Sequence, residues 1–208
     1  MSDSNQKILV WDLPVRVFHW LLAFSFTGAY LTAESERWRL IHVSLGYTFG
    51  GLIAFRLLWG IVGTRYARFS SFIRGPATVK EYLFAMFSQK PAHYIGHNPA
   101  GAVAIVLMLL SGIVIAATGW ASYDNGGENW VAELHESAAN FMLVVIGVHL
   151  AGVAVASRLH RENLVSAMLT GRKFGQPEQG IRLAWRSLGL VVLVLVLGFW
   201  CFQWLGAP

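Results

Sequence analysis

Cysteine is nearly missing from this chain: Cys201 is the single one among 208 residues. That excludes an internal disulfide, a cysteinyl iron–sulfur site and the C-x-x-C-H pattern of covalent haem attachment. Charge is scarce as well. Asp, Glu, Lys and Arg make up 13% of the residues and apolar side chains 55%. Apolar runs of about 20 residues recur, the length that spans hydrocarbon. A chain that offers water so little reads as a polytopic membrane protein. The connecting segments are too short for a separate soluble domain, so residues 1–208 read as one transmembrane domain. Cys201 itself reads as a small lipid-facing or packing residue.

The expected fold is an all-α five-helix transmembrane bundle with spans at about 14–33, 40–62, 98–119, 131–157 and 183–205. The first span has a long apolar core, no clear small-residue cleavage site, and His19 and Trp20 inside it, so it reads as a retained helix rather than a secretory leader. Arg65, Arg68, Arg74, Lys80 and Lys90 follow the second span, and Arg158, Arg161, Arg172, Lys173 and Arg182 follow the fourth. The positive-inside rule assigns both segments to the cytoplasmic side of a bacterial inner membrane, with the N-terminus inside and the C-terminus in the periplasm. The segment 123–128, which contains Asp124 and Glu128 and no basic residue, falls outside. Trp11, Trp59 and Trp185 form the expected inner aromatic belt, and Trp38, Trp120, Trp130 and Trp204 the outer one. The net charge of +5 then reflects topology and contact with anionic lipid, not nucleic-acid binding. Residues 76–87 fit an interfacial helix and equally an irregular loop.

Four of the seven histidines, His19, His42, His135 and His149, lie on the apolar spans. An imidazole is costly in lipid and is a site candidate wherever it occurs there. His149 follows His135 by 14 residues, about 21 Å along a helix axis and within about 40° of the same face. With alternating spans, His19 matches the depth of His149 and His42 that of His135. Compact zinc or di-metal centres use ligands three or four residues apart on one helix, a spacing absent among these four. Two stacked, non-covalent, bis-histidine haems fit better. Arg56, 14 residues after His42, falls on the His42 face at the inner depth, where it would either meet a haem propionate or snorkel to headgroups. Gly46 and Gly50, one and two turns after His42, would let a flat macrocycle approach the backbone or serve plain helix packing. His93, His97 and His160 read as solvated or headgroup-facing, although His97, beside Asn98 at the entry to the third span, could instead touch a bound quinone.

The run Val10-Trp11-Asp12-Leu13-Pro14-Val15-Arg16-Val17-Phe18-His19-Trp20 resembles the opening signature of bacterial cytochrome b561-type proteins, which include the b-type subunits of nickel–iron hydrogenases and formate dehydrogenases. The similarity continues through His42 and its glycines, Arg56-Leu57-Leu58-Trp59-Gly60, and His135 with His149, so it covers the first four spans. It implies two b haems across the membrane, with the same ligand pairs. It also implies electron transfer between a quinone and a water-facing redox partner, either a c-type cytochrome or a hydrogenase-like subunit. A quinone near the inner haem would meet Arg16, His97, Asn98 and Arg158.

The resulting expectation is an electron-transfer subunit of an oxidoreductase rather than a stand-alone enzyme. Two alternatives stand beside it. One is a superoxide:quinone oxidoreductase, for which Arg37 and Arg39 could supply a cationic funnel although the acidic 124–128 segment opposes it. The other is a haem-free transporter or assembly subunit with a histidine proton relay, which would more naturally carry acids within its spans.

Overall fold

The computed structural model describes residues 6–88, 91–124 and 129–206. Lys90 and most of the acidic segment expected outside, residues 125–128, lie beyond the described residues. Helix α1 (Leu13–Thr32) begins on Asp12, whose side chain accepts from the Val15 amide, with Pro14 in the first turn where its missing N–H costs nothing. Helix α2 (Arg39–Val62) returns antiparallel to it. A short turn α3 (Phe69–Phe72) and helix α4 (Pro76–Phe87) follow. Residues 76–87 are therefore helical, the first of the two expectations for that segment. Helices α5 (Pro99–Asp124) and α6 (Asn129–Leu159) form the next antiparallel pair. Then come α7 (Leu164–Thr170) and α8 (Arg186–Leu205).

Among the described residues, four segments are long and apolar enough to cross a membrane: Glu36–Val62, Pro99–Tyr123, Asn129–Leu159 and Arg186–Leu205. Helix α1 is as long as α8 but carries Arg16, His19 and several polar residues, which dilute its hydropathy.

A two-stranded sheet was not foreseen from the apolar pattern. Strand β1 (Gln6–Leu9) pairs antiparallel with β2 (Arg172–Gly175), Gln6 opposite Gly175 and Leu9 opposite Arg172. Four-residue strands carry too little alternation to stand out from loop sequence. The pair rests on the C-cap of α7, where Gly171 adopts φ +78° and its carbonyl accepts from the amides of Val10 (2.8 Å) and Trp11 (3.1 Å). Lys173 on β2, expected in a solvated basic loop, is instead buried. It donates to the Tyr94 carbonyl (3.2 Å) and pairs with Glu162 (3.0 Å).

Helix α8 lies along α1 and α2 through polar contacts inside an apolar interface. Trp200 Nε1 donates to Thr48 Oγ1 and Trp204 Nε1 to Ser44 Oγ, both at 2.8 Å. At the opposite end of α8, a Cβ on Gly189 would lie 2.6 Å from the Leu13 side chain, so its absence sets how closely α8 approaches α1.

Candidate functional site: paired imidazoles at two ends of the bundle

The antiparallel run of α1, α2, α5 and α6 places His42 and His135 at one end and His19, Arg56, His97 and His149 at the other. At the first end the His42 and His135 rings face each other, centroids 6.3 Å apart and planes 70° to one another. His42 Nδ1 donates to the Ala29 carbonyl at 2.8 Å. Ala29 lies in the last turn of α1, where helix carbonyls lack an intrahelical partner and accept from elsewhere. His135 Nδ1 donates to the Ile115 carbonyl (3.0 Å) and shares its proton with Thr118 Oγ1 (3.2 Å), whose own hydroxyl proton goes to the Val114 carbonyl (2.7 Å). A carbonyl only accepts, so both imidazoles carry their proton on Nδ1 and leave Nε2 with a free lone pair. Gly119 makes room for this arrangement, since a Cβ there would stand 2.9 Å from His135 Cε1.

Sequence reasoning missed Ala29, Ile115, Thr118 and Gly119. Thr118 stands 17 residues before His135 on a different helix, so its part depended on the rotational phase of α5 against α6.

The other end is built around Asp12, wholly buried at the start of α1. Its carboxylate accepts from Val15 N (2.8 Å), Trp59 Nε1 (3.1 Å) and Thr64 Oγ1 (2.6 Å), tying α1 to the C-terminal turn of α2. The expected inner-belt residues Trp11 and Trp59 are therefore core residues, each only about 5% exposed. Their sequence position near a boundary could not reveal the strand pair and Asp12 that bury them.

Arg56 is 4% exposed. Its guanidinium stands 4.8 Å from the centre of the Phe69 ring and 5.8 Å from that of Phe72, and one terminal nitrogen is buried without a hydrogen-bond partner among the described residues. Asp12 is the acidic group whose charge reaches it. The guanidinium is thus held inside by aromatic faces and a buried carboxylate, and it does not snorkel to the surface.

His97, just before α5, lies against Trp11 (4.6 Å between centroids) and Phe72 (4.9 Å). Burial, then the nearby charges of Arg56, His149, Lys173 and His19, pull its imidazolium down from 6.5 to about 3. That ring is neutral at physiological pH. His19 and His149 are likewise within electrostatic reach of one another, and His19 Nδ1 is buried with no partner among the described residues.

The other expected site residues are distributed. Gly46 faces open space, since a Cβ there would meet nothing within 4 Å, whereas one on Gly50 would touch Ala116 at 3.3 Å, a helix-packing contact. Asn98 caps α5, its Oδ1 accepting from Gly101 N at 2.7 Å. Arg16 donates to the Leu169 carbonyl and lines a groove of about 400 Å³ between α1, α7 and α8 with Trp20, Phe24 and Trp200. Arg158 is exposed at the end of α6, and nothing brings it to His97. His93 and His160 stack edge to face (5.1 Å), with His93 beside Glu162 at 3.5 Å. Cys201 is exposed on α8. No group of three or more His, Cys, Asp or Glu side chains that could hold a bare metal ion occurs among the described residues.

Apolar helices long enough to span a membrane, with facing intramembrane imidazoles whose Nε2 atoms are free, define the class of membrane-bound cytochromes b. The profile of prokaryotic cytochrome b561 matches residues 10–171, and the chain belongs to that family, with haem b as its cofactor and electron transport as its role. Relatives are described as probable Ni/Fe-hydrogenase B-type cytochrome subunits. That of Rhizobium leguminosarum bv. viciae is 25% identical over 82% of this chain and 90% of its own length. That of Azotobacter chroococcum mcd 1 is 28% identical over 82% and 92%. The hydrogenase 1 counterpart of Escherichia coli K12 is 30% identical over 59% and 63%. No solved structure matches the sequence.

Proposed function

We propose that the chain holds two b haems, one between His42 and His135 and one between His19 and His149, and carries electrons between them across the membrane. The observation that carries this reading is the His42–His135 pair, two imidazoles 6.3 Å apart with steeply inclined planes and each proton held on Nδ1 by a carbonyl. Fixing the tautomer from behind is how proteins present a neutral imidazole nitrogen to iron. The residues fit a macrocycle in two further ways: Gly46 leaves space beside His42, and Arg56 keeps a buried nitrogen free for an anionic oxygen such as a propionate.

Haem b bound at these positions supplies the one-electron couple. The imidazoles of His42, His135, His19 and His149 would hold it, and the chain supplies an apolar surrounding and the spacing of about 21 Å between His135 and His149 on α6, which divides the membrane into shorter intervals. Held by a histidine from each side, such a haem would leave small ligands little room to bind, and electron transfer would be favoured over oxygen chemistry.

In this reading α1 also crosses the membrane, giving five spans. The strand pair and Arg56 face the cytoplasm of a bacterial inner membrane, and the His42 end faces the periplasm. A quinone exchanges electrons near His97, a neutral, aromatic-walled imidazole beside the inner pair. The names of the relatives support a hydrogenase-type enzyme as the partner, and with this orientation it docks at the His42 end.

The test is the visible spectrum and haem content of the purified protein. Two haem b per chain with reduced b-type bands are expected; a colourless protein, or one haem per chain, overturns the proposal.

A further inference from the structure

The two ends differ in what stands behind their ligands. At the His42–His135 end both Nδ1–H groups donate to carbonyl oxygens, and Thr118 Oγ1 offers His135 a second acceptor. An imidazole that donates from Nδ1 becomes more basic at Nε2 and stabilises the oxidised, more positive iron. At the other end, His19 Nδ1 has no acceptor among the described residues, and the buried guanidinium of Arg56 adds a positive charge that favours the reduced iron. Asp12 offsets part of that charge, but its carboxylate accepts from Val15, Trp59 and Thr64 and makes no direct ion pair with Arg56. Both differences act in the same direction.

We propose that the hydrogen bonds behind His42 and His135, with Thr118 as the adjustable one, hold that end at the lower reduction potential. Arg56 and the bare Nδ1 of His19 hold the other end at the higher one, so a single electron rests preferentially at the His19–His149 end. This rests on the reading of the four histidines as haem ligands. Thr118 is a positioning residue: it touches the ligand's far nitrogen, not the iron. Gly119 belongs to the same device, because the flat approach of α5 to the His135 ring keeps the Ile115 carbonyl within reach. Electrons then run downhill from the hydrogenase-type donor at the His42 end to the quinone at the His97 end.

The experiment is a spectroelectrochemical titration of the full-length, haem-loaded protein in detergent. Two separate one-electron waves are expected, and His42→Ala abolishes the lower one. Thr118→Val removes an acceptor at nearly constant volume and raises the lower wave by a severalfold change in reduction constant, about 59 mV per tenfold, leaving the upper wave in place. Thr118→Ser keeps the hydroxyl and keeps the wild-type value. Loss of the upper wave in His42→Ala, or an unmoved lower wave in Thr118→Val, overturns the order proposed here while leaving two haems intact. Fewer than two haems in the wild type overturns the ligand reading itself.

Discussion

At the scale of the residue, the four intramembrane histidines and Arg56 stood out in the sequence because lipid penalises polar groups and leaves few reasons to keep them. Asp12 did not stand out, although it is the most heavily used side chain at its end of the bundle. A carboxylate before a proline reads as an ordinary helix cap, and its bonds to Trp59 and Thr64 span 47 and 52 residues. Asp12→Ala leaves three donors without an acceptor, at about 1–3 kcal/mol for each that stays buried and bare. The midpoint of thermal unfolding in detergent should fall accordingly. His149→Ala is expected to remove one haem and spare the other, and His42→Ala to do the reverse; quantitative haem extraction reads the result. Loss of both in either variant would show that the two ends are not independent.

His97 gives a pH dependence whose sign follows from its burial. Its pKa falls from 6.5 to about 3 on folding. Between those values the unfolded chain binds more protons than the folded one, so this group lowers stability as pH drops from about 6.5 towards 3 and has no effect above. His97→Gln should flatten the acid limb of a stability-against-pH curve, and an unchanged slope would show that the ring is accessible to protons when folded.

At the scale of the element, the apolar runs located α2, α5, α6 and α8 to within a few residues, and the helix over 76–87 was one of the two readings of its sequence. Helix packing was harder to read. Gly46 and Gly50 looked alike on the His42 face, yet one faces open space and the other packs on Ala116; the difference lies in which neighbour α5 presents, a matter of interhelical phase. Gly171 shows the same dependence. It has a positive φ, and a Cβ would lie 2.6 Å from the Trp11 carbonyl, so alanine meets both backbone strain and a steric clash. Gly171→Ala should cost about 1–3 kcal/mol and loosen the N-terminal strand, measurable as faster hydrogen exchange at the Val10 and Trp11 amides.

At the scale of the whole molecule, α1, α2 and α6 carry all four histidines and α5 holds one of them in place, while α8 supports α1 and α2 from outside. A chain ending after Arg182 loses the Trp200–Thr48 and Trp204–Ser44 bonds but none of the ligands. It should keep both haems and unfold at a lower temperature, and loss of haem would assign α8 a direct part in the site. The sequence alone determined that this is a helical membrane protein, the family it belongs to, and which imidazoles lie at matching depths. The first and last follow from composition and from the fixed rise and rotation of a helix, the family from the likeness of the Val10–Trp20 run and the motifs after it. Only the tertiary structure decided that Trp11, Trp59 and Lys173 are buried, that Asp12 joins α1 to α2, and that carbonyls and Thr118 stand behind one pair of rings while His19 Nδ1 has no acceptor among the described residues. Each of those depends on how two helices are rotated against one another, and a one-dimensional pattern does not carry that angle.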